Sequence, residues 1–268
     1  MVESKTIAFI GGSGLAQGLE GLLTDVNHYG PVVNKFGIVL SYYTGKHGNT
    51  NIVILPRHGD SEKTPARSPA ELVRQRGYEA NIWQLHKLGV QEVYGLSAVG
   101  ALDLEIPLAS KGCFIVPYSY VRGLAASQHS FGANALNVHT NMSQPFDIKL
   151  MGKAVNAITT AGYKMMKGIY IYNGGDTFET REEIKVLDKM TEDLGGGRVV
   201  GMTTVPEVML LNQMKIPFAA ILSNVNYAEG LSKETLVSHE QTMDVMETAG
   251  KYMLNIVNKI ISSYEKQI

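Results

Sequence analysis

Thr6-Ile7-Ala8-Phe9-Ile10-Gly11-Gly12-Ser13-Gly14 is the stretch on which the reading of this chain turns. Residues 6–10 form a near-continuous apolar run, the pattern of a strand covered on both faces. The glycines then end it. Glycines at the carboxyl end of a strand let backbone N–H groups approach an anion, and Ser13 adds a hydroxyl donor. Two nucleotide-binding motifs compete for the same residues. A dinucleotide fingerprint needs a third glycine where Gln17 stands, and a phosphate loop of the Gly-Lys-Ser/Thr kind has no lysine here. A dehydrogenase or a nucleotide-binding regulatory protein therefore rests on the glycine cluster alone.

Outward from this stretch, short β-rich runs alternate with helical patterns. Residues 38–43, 51–55, 92–96, 112–116, 168–172, 199–202 and 218–222 read as strands. Residues 70–87, 147–161 and 233–264 read as helices, and Thr180-Arg181-Glu182-Glu183 and Thr204-Val205-Pro206-Glu207 read as capped helix starts. Residues 59–77 are polar and mixed in charge and read as a mobile surface loop, a candidate lid. No repeat or linker divides the chain. The expectation is one α/β domain over residues 1–268, with a mixed central sheet and helices on both faces.

Composition removes several function classes. The chain has 268 residues, with 24 Lys+Arg against 25 Asp+Glu, so it lacks the basic excess of a dedicated nucleic-acid binder. No apolar run is long enough to span a bilayer. The single cysteine, Cys113, sits in an apolar run and reads as a buried small hydrophobe. Met1-Val2-Glu3-Ser4-Lys5 does not open a secretory signal, so a cytoplasmic location is expected. The charged fraction of 18% is low for a globular domain and suggests surface buried between subunits.

Candidate chemistry gathers at strand ends. Arg57 and His58 follow the 51–55 strand, and an arginine fork suits phosphate oxygens. Ser97 and Ala98 lie after the 92–96 strand. Thr203 and Thr204 stand at a helix N-terminus, whose free N–H groups favour an anion. Phe178 and Glu179, in the loop after the 168–172 strand, pair a ring that stacks on a flat heterocycle with a carboxylate that accepts a ring N–H. Asn224, after the 218–222 strand, can donate and accept at a purine edge. No spacing of zinc or magnesium ligands is present.

Together these residues carry a resemblance. Residues 7–15 (IAFIGGSGL), 55–59 (LPRHG), 78–83 (YEANIW), 97–102 (SAVGAL), 178–180 (FET), 201–208 (GMTTVPEV) and Ser223-Asn224 appear in order across the chain. The chain resembles the nucleoside phosphorylase family of trimeric purine nucleoside phosphorylases and methylthioadenosine phosphorylases. The resemblance implies a single α/β domain with a distorted mixed sheet. It also implies phosphorolysis of a purine nucleoside to free purine and a pentose 1-phosphate, with phosphate as co-substrate and no metal or organic cofactor. It places phosphate on Ser13, Arg57, His58, Ser97, the Ala98 backbone and Thr203. Met202 would lie under the ribose and Phe178 against the base, with Glu179 and Asn224 on the base edge. His239 would reach a 5′-hydroxyl, and His139 would come from a neighbouring subunit of a homotrimer; hexamers also occur among members. Asn224 and Asn226 stand where methylthioadenosine enzymes have aspartates, and Glu179 stands where they have serine. Those three residues and His239 are similar to the inosine and guanosine enzymes, whereas residues 78–83 are closer to the methylthioadenosine branch. Methylthioinosine and methylthioadenosine remain alternative substrates. Asp176 departs from the proline of most members.

Overall fold

The computed structural model describes residues 4–12, 18–59, 65–231 and 239–265, the side chains of residues 239–241 excepted. Among the described residues, eleven strands are arranged as a nine-stranded sheet and a two-stranded one. The strands are β1 (Thr6–Gly11), β2 (Thr24–Tyr29), β3 (Val32–Asn34), β4 (Gly37–Val39), β5 (Tyr42–His47), β6 (Thr50–Pro56), β7 (Glu92–Ala101), β8 (Cys113–Arg122), β9 (Lys164–Tyr172), β10 (Gly197–Gly201) and β11 (Phe218–Tyr227). The helices are α1 (Pro69–Arg74), α2 (Gly77–Lys87), α3 (Ile148–Thr160), α4 (Arg181–Thr191), α5 (Thr204–Gln213) and α6 (His239–Glu265).

The large sheet runs β10-β9-β8-β11-β7-β1-β6-β5-β2, and β10 pairs again with β7. That second pairing rolls part of the sheet into a closed ring through β7, β11, β8, β9 and β10. Strands β6, β1, β7 and β11 are parallel neighbours, whereas β11–β8 and β10–β7 are antiparallel. The sheet is therefore mixed and distorted. One face buries Val93, Val99 and Leu222 against Ile82 and Leu85 of α2 and Val205, Val208 and Leu211 of α5. The other buries Phe9, Tyr94 and Ile221 against Leu150 and Ile158 of α3 and Ile256 and Ile260 of α6. Helices cover both faces of a single domain, and Cys113 is buried as expected. No helix among the described residues is long and apolar enough to cross a membrane.

Four sequence expectations are corrected. The single 70–87 helix is two helices, because Arg76 takes a left-handed conformation (φ 54°) between them. Gly77 then packs so closely that a Cβ there would come within 2.6 Å of Leu72. The single 38–43 strand is divided, with β4 pairing only with β3 and β5 crossing into the large sheet. The 59–77 stretch is not simply a loop. Ser68 caps α1 in a capping box with Glu71, and Arg67 is buried with its guanidinium on the Ile38 carbonyl; residues 60–64 lie outside the described residues. Finally, β7 and β11 run on to Ala101 and Tyr227, so Ser97 and Asn224 sit inside strands and not at their ends. The capped start at Thr180, with Glu183 completing the box, is as expected.

Candidate active site

The extended β7 is the floor of the site. Its antiparallel register with β10 pairs Val200 with Gly100 and Val199 with Ala101, so the chain leaving β10 carries Thr203 back toward Ser97. The hydroxyls of Ser97 and Thr203 are 3.5 Å apart, and the Thr204 hydroxyl donates to Ser97 at 3.1 Å. Ala98 is the only exposed residue of β7, which marks an opening beside Ser97. Gly12 follows β1, and a Cβ there would meet nothing within 4 Å among the described residues.

Arg57 enters from the end of β6, its N–H on the Gly11 carbonyl at 2.8 Å. Its guanidinium is buried and bound in a two-point pair to Glu207 of α5: Nε donates to Oε1, and Nη2 donates to Oε2 at 3.0 Å. Nη2 also donates to Ser97 Oγ at 3.0 Å, and both terminal nitrogens approach the Leu96 carbonyl. Burial opposes the charge on Arg57 and Glu207 more than offsets it, so the guanidinium stays fully protonated. Burial pushes the Glu207 carboxyl above its ordinary value against the pull of Arg57. The free fork expected for phosphate is thus largely engaged and its charge neutralised within the protein. What Arg57 still offers is an N–H of Nη1 and a rigid support for Ser97.

The expected helix start is corrected too. Thr203, not Thr204, is the N-cap of α5, without a side-chain cap bond. The N–H groups of Thr203 and Thr204 donate to the Tyr170 hydroxyl at 3.0 and 3.3 Å, so that hydroxyl already occupies the anion position. Gly201 makes room for it; a Cβ there would lie 2.4 Å from the phenol oxygen. The backbone N–H of Thr203 is therefore engaged, and its hydroxyl, beside that of Ser97, is the group it has left to offer. Glu207, read in sequence as part of a cap, instead reaches Arg57.

His58 Nδ1 is 2.7 Å from the Arg67 carbonyl, which can only accept, so this nitrogen carries the proton. Burial, and then the neighbouring Arg57 charge, lower its pKa to about 4. At neutral pH, Nε2 is a lone-pair acceptor and not a donor. It suits the hydroxyl of hydrogen phosphate. Asp176, in the loop after β9, acts on His58 electrostatically and accepts from Ser68 Oγ and Ala70 N, both at 2.8 Å. It thereby ties that loop to the start of α1.

The same loop brings Asn173, Phe178 and Glu179 together. Glu179 is buried and Phe178 is 45% exposed, which leaves the ring free to meet a ligand. Glu179 Oε1 accepts from Asn173 Nδ2 at 3.1 Å, and burial raises its pKa. Tyr78, fully buried, donates to the Met202 carbonyl at 3.4 Å beneath the site, and burial pushes its phenol well above the usual range.

Asn224 differs from expectation. It is fully buried and pairs with Val99, and its Nδ2 donates to the carbonyls of Ile106 (3.1 Å) and Pro107 (3.4 Å). Among the described residues, its Oδ1 is buried without a hydrogen-bond partner. The amide cannot be reversed, because an oxygen would then face two carbonyls. Asn224 thus has an acceptor to offer and no spare donor for a purine O6. Asn226 packs over Gly100, with Nδ2 on the Tyr227 carbonyl. His139 is exposed in the segment after β8. Ser13 lies outside the described residues, as does the side chain of His239. Among the described residues, no group of three or more His, Cys, Asp or Glu could hold a metal ion. Sequence reasoning missed Glu207 and Tyr170 as partners of the site and did not single out Asn173.

Residues 6–262 match the family model described as the phosphorylase superfamily. A Moorella thermoacetica protein named "Probable 6-oxopurine nucleoside phosphorylase" is 30% identical over 97% of this chain and 94% of its own length. The S-methyl-5'-thioadenosine phosphorylase of Saccharolobus solfataricus is also 30% identical, over 96% of this chain and 91% of its own. A Methanocaldococcus jannaschii protein named "Probable S-methyl-5'-thioinosine phosphorylase" is 27% identical over 96% and 92%. In structure, the chain superposes on a methylthioadenosine phosphorylase from an antarctic soil metagenomic library with a TM-score of 0.82, at 22% identity and covering 98% of this chain and 88% of that one. A methylthioadenosine phosphorylase of Schistosoma mansoni in complex with adenine gives the same TM-score of 0.82 at 21% identity, covering 98% and 93%. The chain belongs to the phosphorylase superfamily, as an enzyme of its nucleoside phosphorylase, pentosyltransferase branch.

Proposed function

We propose that the protein cleaves 6-oxopurine nucleosides, inosine and guanosine, with inorganic phosphate, giving the free base and ribose 1-phosphate without a metal or organic cofactor. Glu179 carries this reading. A buried carboxylate beside the exposed Phe178 ring, held by an Asn173 N–H, is an acceptor. The N1 of a 6-oxopurine bears a hydrogen and can donate to it, whereas the N1 of a 6-aminopurine bears a lone pair and repels it. An unpaired buried acceptor costs about 1–3 kcal/mol, a discrimination of roughly 10- to 100-fold. Methylthioinosine carries the same N1–H, and relatives named for it support keeping it as the second reading.

In the proposed reaction, Ser13, Ser97, Thr203, the Ala98 N–H and the remaining Arg57 N–H hold phosphate under C1′. His58 Nε2 accepts from the phosphate hydroxyl. The C1′–N9 bond lengthens, its electron pair goes to the purine, and the sugar gains oxocarbenium character. A phosphate oxygen then bonds C1′. The phosphate loses its hydroxyl proton and the purine gains one, so charge balances. Asn224 Oδ1 accepts that proton's N7–H, an interaction stronger in the transition state than in the nucleoside. Met202 supports the ribose, and His239 reads its 5′ end.

The proposed assembly is a cytoplasmic homotrimer in which His139 of one copy closes the pocket of the next. Leu136 and Val138, each about half exposed in the segment that carries His139, offer apolar surface for that contact. Steady-state phosphorolysis of inosine, guanosine, adenosine, methylthioadenosine and methylthioinosine tests the substrate reading. The expected order places inosine or guanosine at least ~10-fold above adenosine. Equal or faster cleavage of adenosine or methylthioadenosine would overturn it.

A further inference from the structure

We infer that Asn173 is a positioning residue for base recognition: its amide binds one oxygen of Glu179 inside the protein and leaves the other to accept the N1–H of the base. This rests on the role proposed for Glu179. Asn173 follows β9 and is 5% exposed. Both ends of its amide are committed. Oδ1 accepts from the Ala125 N–H at 2.8 Å, and Nδ2 donates to Glu179 Oε1 at 3.1 Å. Reversal would set an NH2 group against the Ala125 N–H and a carbonyl oxygen against the carboxylate, so the donor is fixed toward Glu179.

The backbone is pinned as firmly. Asn173 N donates to the Gly201 carbonyl, and Gly174 N donates to the Ala125 carbonyl, each at 3.1 Å. One residue therefore joins the segment after β8, the end of β10 and the base loop. Glu179 would otherwise be a carboxylate in a dry place, where burial favours the protonated form. Glu183 on α4 adds a smaller push in the same direction, while the Asn173 donor and Glu179's own backbone pull toward ionisation. Only the ionised form is a pure acceptor.

The test uses Asn173→Asp and Asn173→Leu, with Glu179→Gln as reference. The aspartate keeps an oxygen for the Ala125 N–H but turns a second carboxylate oxygen on Glu179; the leucine removes both bonds. The readout is kcat/KM for inosine against pH at saturating phosphate. Asn173→Asp should move the acid limb up by about one pH unit or more, because two facing carboxylates resist double ionisation. Activity should fall on the acid side of the profile and recover as the pH is raised. Asn173→Leu should move the limb in the same direction. A merely structural role predicts the opposite ranking, with a wild-type profile for Asn173→Asp and a pH-independent loss for Asn173→Leu; that result overturns the inference. Wild-type kinetics in Glu179→Gln would sink the role of Glu179 itself. A damaged Glu179→Gln beside an unmoved limb in Asn173→Asp would sink the positioning role alone.

Discussion

Replacing Glu207 with glutamine separates the stability of the site from its affinity for phosphate. Arg57 and Glu207 are 3% and 1% exposed and joined at two points. Glutamine keeps one acceptor for Nε but turns an NH2 toward Nη2, so a buried cation loses its counter-charge. Breaking one side of a buried pair costs about 3–5 kcal/mol, which for a chain of this size lowers Tm by roughly 10 °C. The charge left on Arg57 is then free to meet a dianion. Phosphate affinity should rise, and each tenfold tightening adds about 1.4 kcal/mol of ligand-linked stabilisation. Thermal unfolding with and without phosphate reads both effects. The variant should melt well below wild type in phosphate-free buffer and recover more of the gap when phosphate is added. A double replacement, Arg57→Met with Glu207→Leu, should regain stability relative to Glu207→Gln while losing the phosphate response. Equal phosphate stabilisation of wild type and Glu207→Gln would refute the idea that Glu207 masks the Arg57 charge.

His58 gives a pH signature. Its folded pKa lies near 4, below the unfolded 6.5, so the stability it contributes is present above 6.5 and lost as pH falls toward 4. Wild type should lose about 3 kcal/mol across that window, and His58→Phe distinctly less, by denaturant titration at several pH values. Tyr170→Phe strands the N–H groups of Thr203 and Thr204 and should lower the denaturant midpoint by an amount equivalent to about 1–3 kcal/mol; an unchanged midpoint would show that those groups have another acceptor. Asn224→Ala should reduce kcat/KM on inosine roughly 10²-fold or more. Asn224→Asp, which the sequence suggests as a switch toward adenosine, should instead destabilise the protein, because its oxygens would face the Ile106 and Pro107 carbonyls; a stable variant with raised adenosine activity would contradict that.

The parallel core of the fold was legible because its strands are buried on both faces and read as continuous apolar runs. β2 escaped notice because it is an edge strand with most of its residues exposed, leaving no apolar alternation to detect. The split at Arg76 was illegible for another reason: the periodicity of 70–87 continues through it, and only the close packing of Gly77 on Leu72 betrays the break. At the site, residue types were readable and partners were not. Arg57, Thr203, Glu179 and Asn224 carry chemistry that short motifs announce. Whether an arginine is free or paired, or an amide gives its N–H or its oxygen, depends on residues such as Glu207, which is 150 positions away from Arg57. The capping pattern at Thr204 shows how local reasoning fails there, since a glutamate three residues into a helix suggests a cap until a buried guanidinium claims it.

The most direct test of the account is the identity of the sugar product. Inosine incubated with the protein and inorganic phosphate should yield hypoxanthine and ribose 1-phosphate in equal amounts, followed by phosphorus NMR and ultraviolet absorbance, with no base released when phosphate is omitted. Release of hypoxanthine with free ribose, at a rate independent of phosphate, would contradict the phosphate site built on β7 and with it the proposed reaction.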